Sequence, residues 1–432
     1  MAQNQTNRVD EHRATHGPAP HGRPGINGDG DVLAVERAIN ELRRGRAVAV
    51  ISGDTCELAL SAETASADAI ESLGRIAGVA PIAAAARGEF PLALTLAVSA
   101  RRAHALALTQ EKPRDTIEQV QTDRGQVNAR AVALQLPVGV SLSAVRTLAG
   151  IDDADAVTPT EITLAIPAAT GLARVPTTES LDAAVELSRY ARLLPTVITL
   201  SVVPEQLDSS VLRIDAAQIE RFRASRGTGL ERIVNANVPL RDEEQCELVL
   251  FRDTGADIEH LAIIVGDITG TGTVPVRVHS ACLTGDVLGS LRCDCGDQLR
   301  NAMRRMSKRG GGVLLYLQQE GRGIGLANKL RAYSLQDQGL DTYDADGHLG
   351  FDADDRSFTE AATMLRSLGV TKIALMTNNP HKVDALAREG IEVVAREPLT
   401  GERNPYNERY LSAKATRAGH HLHGKTEPED QN

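Results

Sequence analysis

Three of the chain's five cysteines fall within fourteen residues, in the spacing Cys282-x10-Cys293-x-Cys295, while Cys56 and Cys246 stand alone. Cys293 and Cys295, one residue apart, are poorly placed to bridge each other, so the pattern is no disulfide framework. Thiolates are soft metal ligands. Three of them with no fourth nearby fit the open kind of zinc site, in which the protein fills three positions and leaves the last for water. Zinc brings the pKa of such a water toward neutrality and makes hydroxide available for attack on an electrophilic carbon. Three anionic sulfurs weaken that acidification, so a general base or a cationic group is expected close by. The alternative is three buried free cysteines acting as small hydrophobes, but Arg292, Asp294 and Gly296 surround them and the stretch is not apolar.

Such a site needs elements to position it. The chain of 432 residues is too long for one compact core, which predicts two modules plus tails. Its net charge of -10 argues against general nucleic-acid binding, so any anion site must be local. No run of about 18 apolar residues could span a bilayer, and the polar first thirty residues lack the apolar stretch of a secretory signal. A cytoplasmic location is expected. Residues 1–30 read as a disordered leader, 31–224 as the first module, 225–239 as a linker marked by Gly227 and Gly229, 240–419 as the second module, and 420–432 as a polar tail with solvated His420, His421 and His423.

Val35, Ala38, Ile39 and Leu42 recur at helical spacing before Gly45 and the apolar run Ala47 to Ile51, and a helix over Ser180 to Leu194 leads through Pro195 into a strand at Thr196 to Leu200. Farther on, Cys246 to Phe251, His260 to Val265 and Val274 to His279 read as strands. A helix presenting Leu299, Met303 and Met306 closes at Gly310-Gly311-Gly312 before the strand Val313 to Leu317. Ile373 to Met376 is a strand, followed by a helix from Pro380 with Val383, Leu386 and Ala387 buried and Gly390 at its end. The predicted class is α/β or α+β, in two modules.

The run Arg277-Val-His-Ser-Ala-Cys-Leu-Thr-Gly-Asp-Val-Leu-Gly-Ser-Leu-Arg-Cys-Asp-Cys-Gly296 closely resembles the signature of GTP cyclohydrolase II. Further matching blocks follow in order: Gln319-Glu-Gly-Arg-Gly-Ile-Gly-Leu326, Arg331-Ala-Tyr-Ser-Leu-Gln-Asp-Gln-Gly339, Leu349-Gly-Phe-Asp-Ala-Asp-Asp-Arg356 and Thr377-Asn-Asn-Pro-His-Lys382. The resemblance implies one zinc ion per chain on Cys282, Cys293 and Cys295. It also implies hydrolysis of GTP to a diaminopyrimidinone ribosylamino phosphate, formate and pyrophosphate. Mg²⁺ is expected with the triphosphate, which usually arrives with its ion, and a homodimer is the expected assembly.

The same resemblance makes Tyr333 a candidate for positioning or proton transfer at guanine C8, against a plain half-buried helix tyrosine. Arg356 becomes a nucleophile toward the α-phosphate and Asp354 its proton acceptor. Two residues apart in an extended segment, the two side chains share a face, although a simple phosphate clamp is the alternative for so basic a guanidinium. Arg277, Val278, His279, Ser280, Ala281, Gln298, Glu320, Gly321, Arg322 and Thr342 are expected GTP contacts. Gly323 and Gly325 permit close approach to an anion at a helix start, and Thr377 and Lys382 add phosphate donors. Two positions depart from the family pattern: Ala281 stands where glutamate normally precedes the first cysteine, and Gln318 where arginine is common.

An α/β module ahead of a cyclohydrolase resembles the fusions with dihydroxybutanone phosphate synthase. Of the synthase's acidic segment D-x-E-x-E-G-D-L, only Asp54 and Glu57 remain as carboxylates within Ser52-Gly-Asp-Thr-Cys-Glu-Leu-Ala-Leu60, and Thr177 stands where a metal-binding histidine is expected. A hydroxyl does not replace that imidazole, so the first module is expected to be inactive as a synthase and to serve dimerisation or support of its neighbour. Two other readings stay open: a GTP-binding regulatory protein without turnover, and a cyclohydrolase that opens the ring but retains the formyl group.

Overall fold

The computed structural model describes residues 27–78, 92–106, 131–151, 172–241, 243–253, 258–270, 272–352 and 354–408. Val35, Ala38, Ile39 and Leu42 form the buried stripe of α1 (Asn27–Arg43). This helix begins inside the stretch expected as a leader, whose residues 1–26 lie outside the described residues, as does the tail 420–432. The chain turns at Gly45, where φ is 68° and an added Cβ would come within 2.6 Å of the Thr64 carbonyl oxygen.

There follow β1 (Val48–Ser52), β2 (Thr55–Ser61), α2 (Ala67–Ile76), β3 (Thr95–Val98), α3 (Ala100–Ala105), β4 (Val132–Gln135), α4 (Leu142–Ala149), β5 (Arg174–Val175), α5 (Glu179–Tyr190), β6 (Thr196–Ser201), β7 (Leu212–Asp215) and α6 (Ala216–Ser225). The strands form a sheet in the order β5-β4-β3-β6-β2-β1-β7, antiparallel except where β1 meets β7. One face packs on Ile70, Leu73, Val145 and Leu148 from α2 and α4; the other packs on α1, on Leu181, Ala184, Val185 and Leu187 of α5, and on Ile219 and Phe222 of α6. Helix α5 starts where Thr178 Oγ1 accepts from the Leu181 amide at 3.3 Å, with Glu179 and Asp182 at its positive end. It stops four residues short of the predicted Leu194, because Pro195 disfavours helical backbone before it and Arg192 has turned to a φ of 58°.

The second module contains β8 (Leu230–Asn237), β9 (Cys246–Asp253), β10 (Ile258–Gly266), β11 (Val274–Ser280), α7 (Cys295–Lys308), β12 (Gly311–Leu317), α8 (Leu326–Asp337), α9 (Thr342–His348), α10 (Thr359–Ser367), β13 (Lys372–Met376), α11 (Pro380–Arg388) and β14 (Glu392–Glu397). Its sheet runs β14-β13-β11-β12-β10-β9-β8. The β8-to-β12 side is antiparallel, whereas β12, β11, β13 and β14 run parallel. Residues 225–239, expected as a linker, instead supply β8, which pairs with β9 from Leu230↔Asp253 to Asn237↔Glu247. Sequence reading missed it for a physical reason: this edge strand is almost wholly exposed and its register shifts between Arg232 and Val234, so no apolar alternation marks it.

The modules share a core. Leu194 of the first packs with Ile324, Ala332, Leu335, Ala345, Leu349 and Phe351 of the second. Around this cluster Ser99 Oγ donates to the Gly350 carbonyl at 2.7 Å, Glu63 pairs with Arg331 at 2.8 Å, and fully buried Arg102 reaches the His348 carbonyl. Among the described residues no helix is long and apolar enough to cross a membrane.

Candidate active site

The parallel strands β11 and β12 end side by side, and the chain leaves β11 directly into the cysteine segment. Cys282 follows the strand, a π-type turn covers Leu283–Val287, and Cys295 is the first residue of α7. The three thiol sulfurs lie within 4.8 Å of one another, and those of Cys282 and Cys293 are 3.7 Å apart. A tetrahedral zinc with Zn–S of about 2.3 Å would set sulfurs roughly 3.8 Å apart, so the donor set and its spacing fit that ion. Gly285 makes room for it: an added Cβ would stand 2.7 Å from Cys293 Sγ and 3.1 Å from Cys282 Sγ. Hydrogen bonds from the neighbouring thiols, and then the Lys329 ammonium at 3.0 Å, hold Cys282 well below the ordinary thiol range.

Below the cysteines lies a buried polar brace. Asp286 accepts from the Cys282 amide at 2.9 Å and from Tyr316 Oη at 3.0 Å, and both its oxygens stand 3.1 Å from His279 Nε2. The His279 ring stacks on Tyr316, and burial lowers its pKa. His279 therefore lines the pocket while its Nε2 is committed to holding the cysteine loop. Glu320 is committed too: it accepts from the Leu283 amide at 2.7 Å and pairs with Lys329 at 2.8 Å, joining the loop after β12 to the cysteine turn.

The pocket opens between this loop and α8. Arg277, fully buried, donates to the Met376 carbonyl at 2.9 Å and to Gln298 Oε1 at 2.6 Å, and burial draws its pKa down to about 10. Ser280, Ala281, Gln298, Gly321 and Thr342 also line it. Tyr333 enters from α8, its ring beneath Arg292 at 5.1 Å and Lys329 at 5.8 Å, and burial raises its hydroxyl pKa. Val278 is the expected contact that the structure places elsewhere. Alternation along β11 turns its side chain into the core beside Val276, and its carbonyl accepts from Lys382 Nζ at 2.9 Å.

At the far end stand the groups expected for phosphate. Arg356 Nε donates to Asp354 Oδ1 at 2.7 Å, the Arg356 amide donates to the same oxygen at 3.2 Å, and Arg356 Nη2 reaches Asp354 Oδ2. Arg356 lowers the Asp354 pKa against the effect of burial. Arg322, in a left-handed conformation at φ 59°, pairs with Asp346 at 2.7 Å; burial pushes that carboxyl up to about 6 while Arg322 pulls it down. Thr377 and Lys382 complete this end, with Gly325 preceding α8 as its N-cap.

The residues missed by sequence reasoning were Gly285, Asp286, Lys329 and Asp346. Only Asp346 had a usable signal, since it lies one helical turn after Thr342. The other three reveal themselves through contacts made across separate elements.

The sequence profile of GTP cyclohydrolase II matches residues 231–398. A protein named GTP cyclohydrolase-2 from Azospirillum brasilense is 41% identical over 396 residues, covering 90% of this chain and 93% of its own. The chain belongs to the GTP cyclohydrolase II family. It is thus a hydrolase of the riboflavin-biosynthesis class, and the pocket just described lies in the cyclohydrolase half. Riboflavin biosynthesis protein RibBA from Parabacteroides distasonis is 42% identical over 257 residues, 56% of this chain and 63% of its own. The crystal structure of RibBX, a two domain 3,4-dihydroxy-2-butanone 4-phosphate synthase from A. baumannii, is 18% identical with a TM-score of 0.27, covering 85% of this chain and 99% of that one. At that score the likeness adds nothing to the fold described above.

Proposed function

We propose that this chain is a zinc-dependent GTP cyclohydrolase II that converts GTP to 2,5-diamino-6-(5-phospho-ribosylamino)pyrimidin-4(3H)-one, formate and pyrophosphate. The observation that carries the reading is the opening of Cys282, Cys293 and Cys295 onto the same pocket as Asp354 and Arg356. Zinc, when bound by the cysteines, supplies a Lewis acid and an activated water for hydrolysis at guanine C8.

The chain's own residues do the remainder. Arg277, Gln298, Ser280 and Thr342 orient the nucleotide, and Tyr333 stands on the wall shared with the cysteines, where its hydroxyl can donate a proton to the opening ring. Arg322, Lys382 and Thr377 hold phosphate oxygens, with Mg²⁺ arriving on the triphosphate. Asp354 takes the guanidinium proton as Arg356 nitrogen bonds to the α-phosphorus, the α–β P–O bond breaks and pyrophosphate leaves; water then attacks that phosphorus, the P–N bond breaks, Asp354 returns the proton to Arg356 and the 5′-monophosphate is freed. If Arg356→Lys turned over at a near-normal rate, Arg356 would be reduced to a phosphate clamp.

The first module is inactive as a synthase in this reading. Thr177 donates to the Ala131 carbonyl at 3.0 Å, Asp54 is exposed on a turn, and Glu57 is buried with Ser201 donating to it at 2.6 Å, so the hydroxyl that stands for the expected histidine is engaged with backbone. A cytoplasmic homodimer completes the proposal.

The test is an assay of zinc-loaded protein with GTP and Mg²⁺, with formate and pyrophosphate quantified and the nucleotide identified by mass. Equal formate and pyrophosphate are expected. Pyrophosphate with a formylated product would replace complete deformylation with ring opening alone, and tight GTP binding with neither product would leave a regulatory binder. Conversion of ribulose 5-phosphate would overturn the inactive first module.

A further inference from the structure

Segment 350–356 carries the Asp354–Arg356 pair and leaves the shared core at Phe351. Its Gly350 carbonyl and the carboxylates of Asp352 and Asp355 face the first module. Ser99 Oγ donates to the Gly350 carbonyl at 2.7 Å. Arg101 Nε donates to Asp352 Oδ1 at 3.0 Å, Arg189 Nη2 donates to Asp352 Oδ2 at 2.9 Å, and the same Arg189 nitrogen reaches Asp355. Asp355 in turn touches the phosphate end of the pocket from both sides. It precedes Arg356, its amide donates to the Arg322 carbonyl at 3.2 Å, and its carbonyl oxygen would stand 3.0 Å from a Cβ on Gly323.

We propose that Arg189 and Arg101 of the first module are positioning residues for catalysis: by clamping Asp352 and Asp355 they fix the segment that presents Asp354 and Arg356, and with it the turn that presents Arg322. The inference rests on the cyclohydrolase reading of the pocket. Neither arginine lines the pocket, so neither touches substrate. Their effect is carried through Asp352 and Asp355, the neighbours of Asp354 and Arg356 along the chain.

The chemistry favours a clamp over a surface staple. Asp352 and Asp355 sit beside each other with only about a fifth of each side chain exposed, so they repel unless cations lie between them. Arg189, on α5, supplies a planar donor group that reaches both carboxylates. Removing it leaves two carboxylates in a poorly solvated place, and the segment must move to hydrate them. A displacement of about 1 Å at a reacting group costs on the order of a hundredfold in rate. A first module that has lost its own chemistry thus keeps a part in its neighbour's.

The experiment uses the full chain and four variants: Arg189→Met, Arg189→Lys, Arg101→Met, and Glu63→Gln as a control that breaks a different contact between the modules. Readouts are kcat and KM for formate and pyrophosphate release, and hydrogen exchange over peptides covering 350–358. Arg189→Met is expected to lower kcat by roughly ten- to a hundredfold with KM changed less than about threefold. Exchange in 350–358 should rise, Arg189→Lys should recover part of both effects, and Glu63→Gln should leave both near wild type. Arg101→Met, which spares the pair with Asp355, should show the same pattern more weakly and serves if Arg189→Met does not fold.

Wild-type kcat in Arg189→Met, or an equal kcat loss in Glu63→Gln, would overturn the proposal in favour of plain docking. If the wild-type chain released neither product, the cyclohydrolase reading would fail on its own. Unchanged exchange over 350–358 in Arg189→Met would then overturn the clamp independently.

Discussion

The two halves each fold around a seven-stranded mixed sheet, yet they bury different things. Buried polar groups in the first module are chiefly hydroxyls, Ser61, Ser180, Ser188, Thr196 and Thr199, with Glu57 beside them and Arg102 turned to the interface. The second buries Arg277, His279, Gln298, Asp346, Lys382 and three neighbouring positions, Thr377, Asn378 and Asn379, around one pocket. Burying ionisable groups is costly unless each finds partners, so such a concentration is maintained where a site requires it. Among the described residues the first module shows no such concentration. Its arginines Arg101, Arg189 and Arg102 instead reach across to the second.

The comparison can be broken most severely at the cysteines. Cys282→Ser should reduce formate release to background and zinc content well below one per chain, read by product analysis and metal quantitation; full activity with serine would remove the metal centre from the account. Asp354→Asn comes next. It should lower pyrophosphate release by about 10²- to 10⁴-fold, the usual contribution of a positioned base, while leaving zinc content unchanged.

Gly285→Ala puts a methyl group against Cys293 Sγ and Cys282 Sγ. Zinc retention against a chelator should weaken roughly ten- to a hundredfold, the range for groups that support metal ligands. Unaltered retention would show that the turn yields more easily than its packing indicates.

A smaller effect tests the seam between the modules. Burial and the nearby Arg102 hold the His348 pKa at about 4, below the ordinary value of about 6.5. Above pH 6.5 both folded and unfolded chains carry it neutral. As pH falls from there toward 4 the unfolded chain takes up a proton that the folded chain resists, so stability declines through that window. Thermal melts of His348→Gln should lose less midpoint temperature than wild type between pH 6.5 and 4, and parallel curves would refute the assignment. The smallest expected effect is at Glu57, buried in the first module: Glu57→Gln should leave formate and pyrophosphate rates unchanged, and a marked fall would mean that the first sheet participates in the chemistry.

The sequence by itself brought out the candidate chemistry-bearing residues and fewer than half of the described elements. Three closely spaced thiols, an aspartate two before an arginine, and helical or alternating apolar periods are local patterns, and the strands and helices that follow them lie within a few residues of the predicted bounds. The tertiary structure decided what depends on approach between distant segments. It turned Val278 into the core, engaged Glu320 and His279 with the cysteine loop, drew an edge strand from Leu230–Asn237, and brought Lys329 to Cys282. It also brought Arg189 to Asp352 and Asp355 across more than 160 residues. No periodicity encodes such meetings, because a charged side chain reads the same along the chain whether it faces water or a buried carboxylate; only the packing of the two modules around one shared cluster supplies the partner.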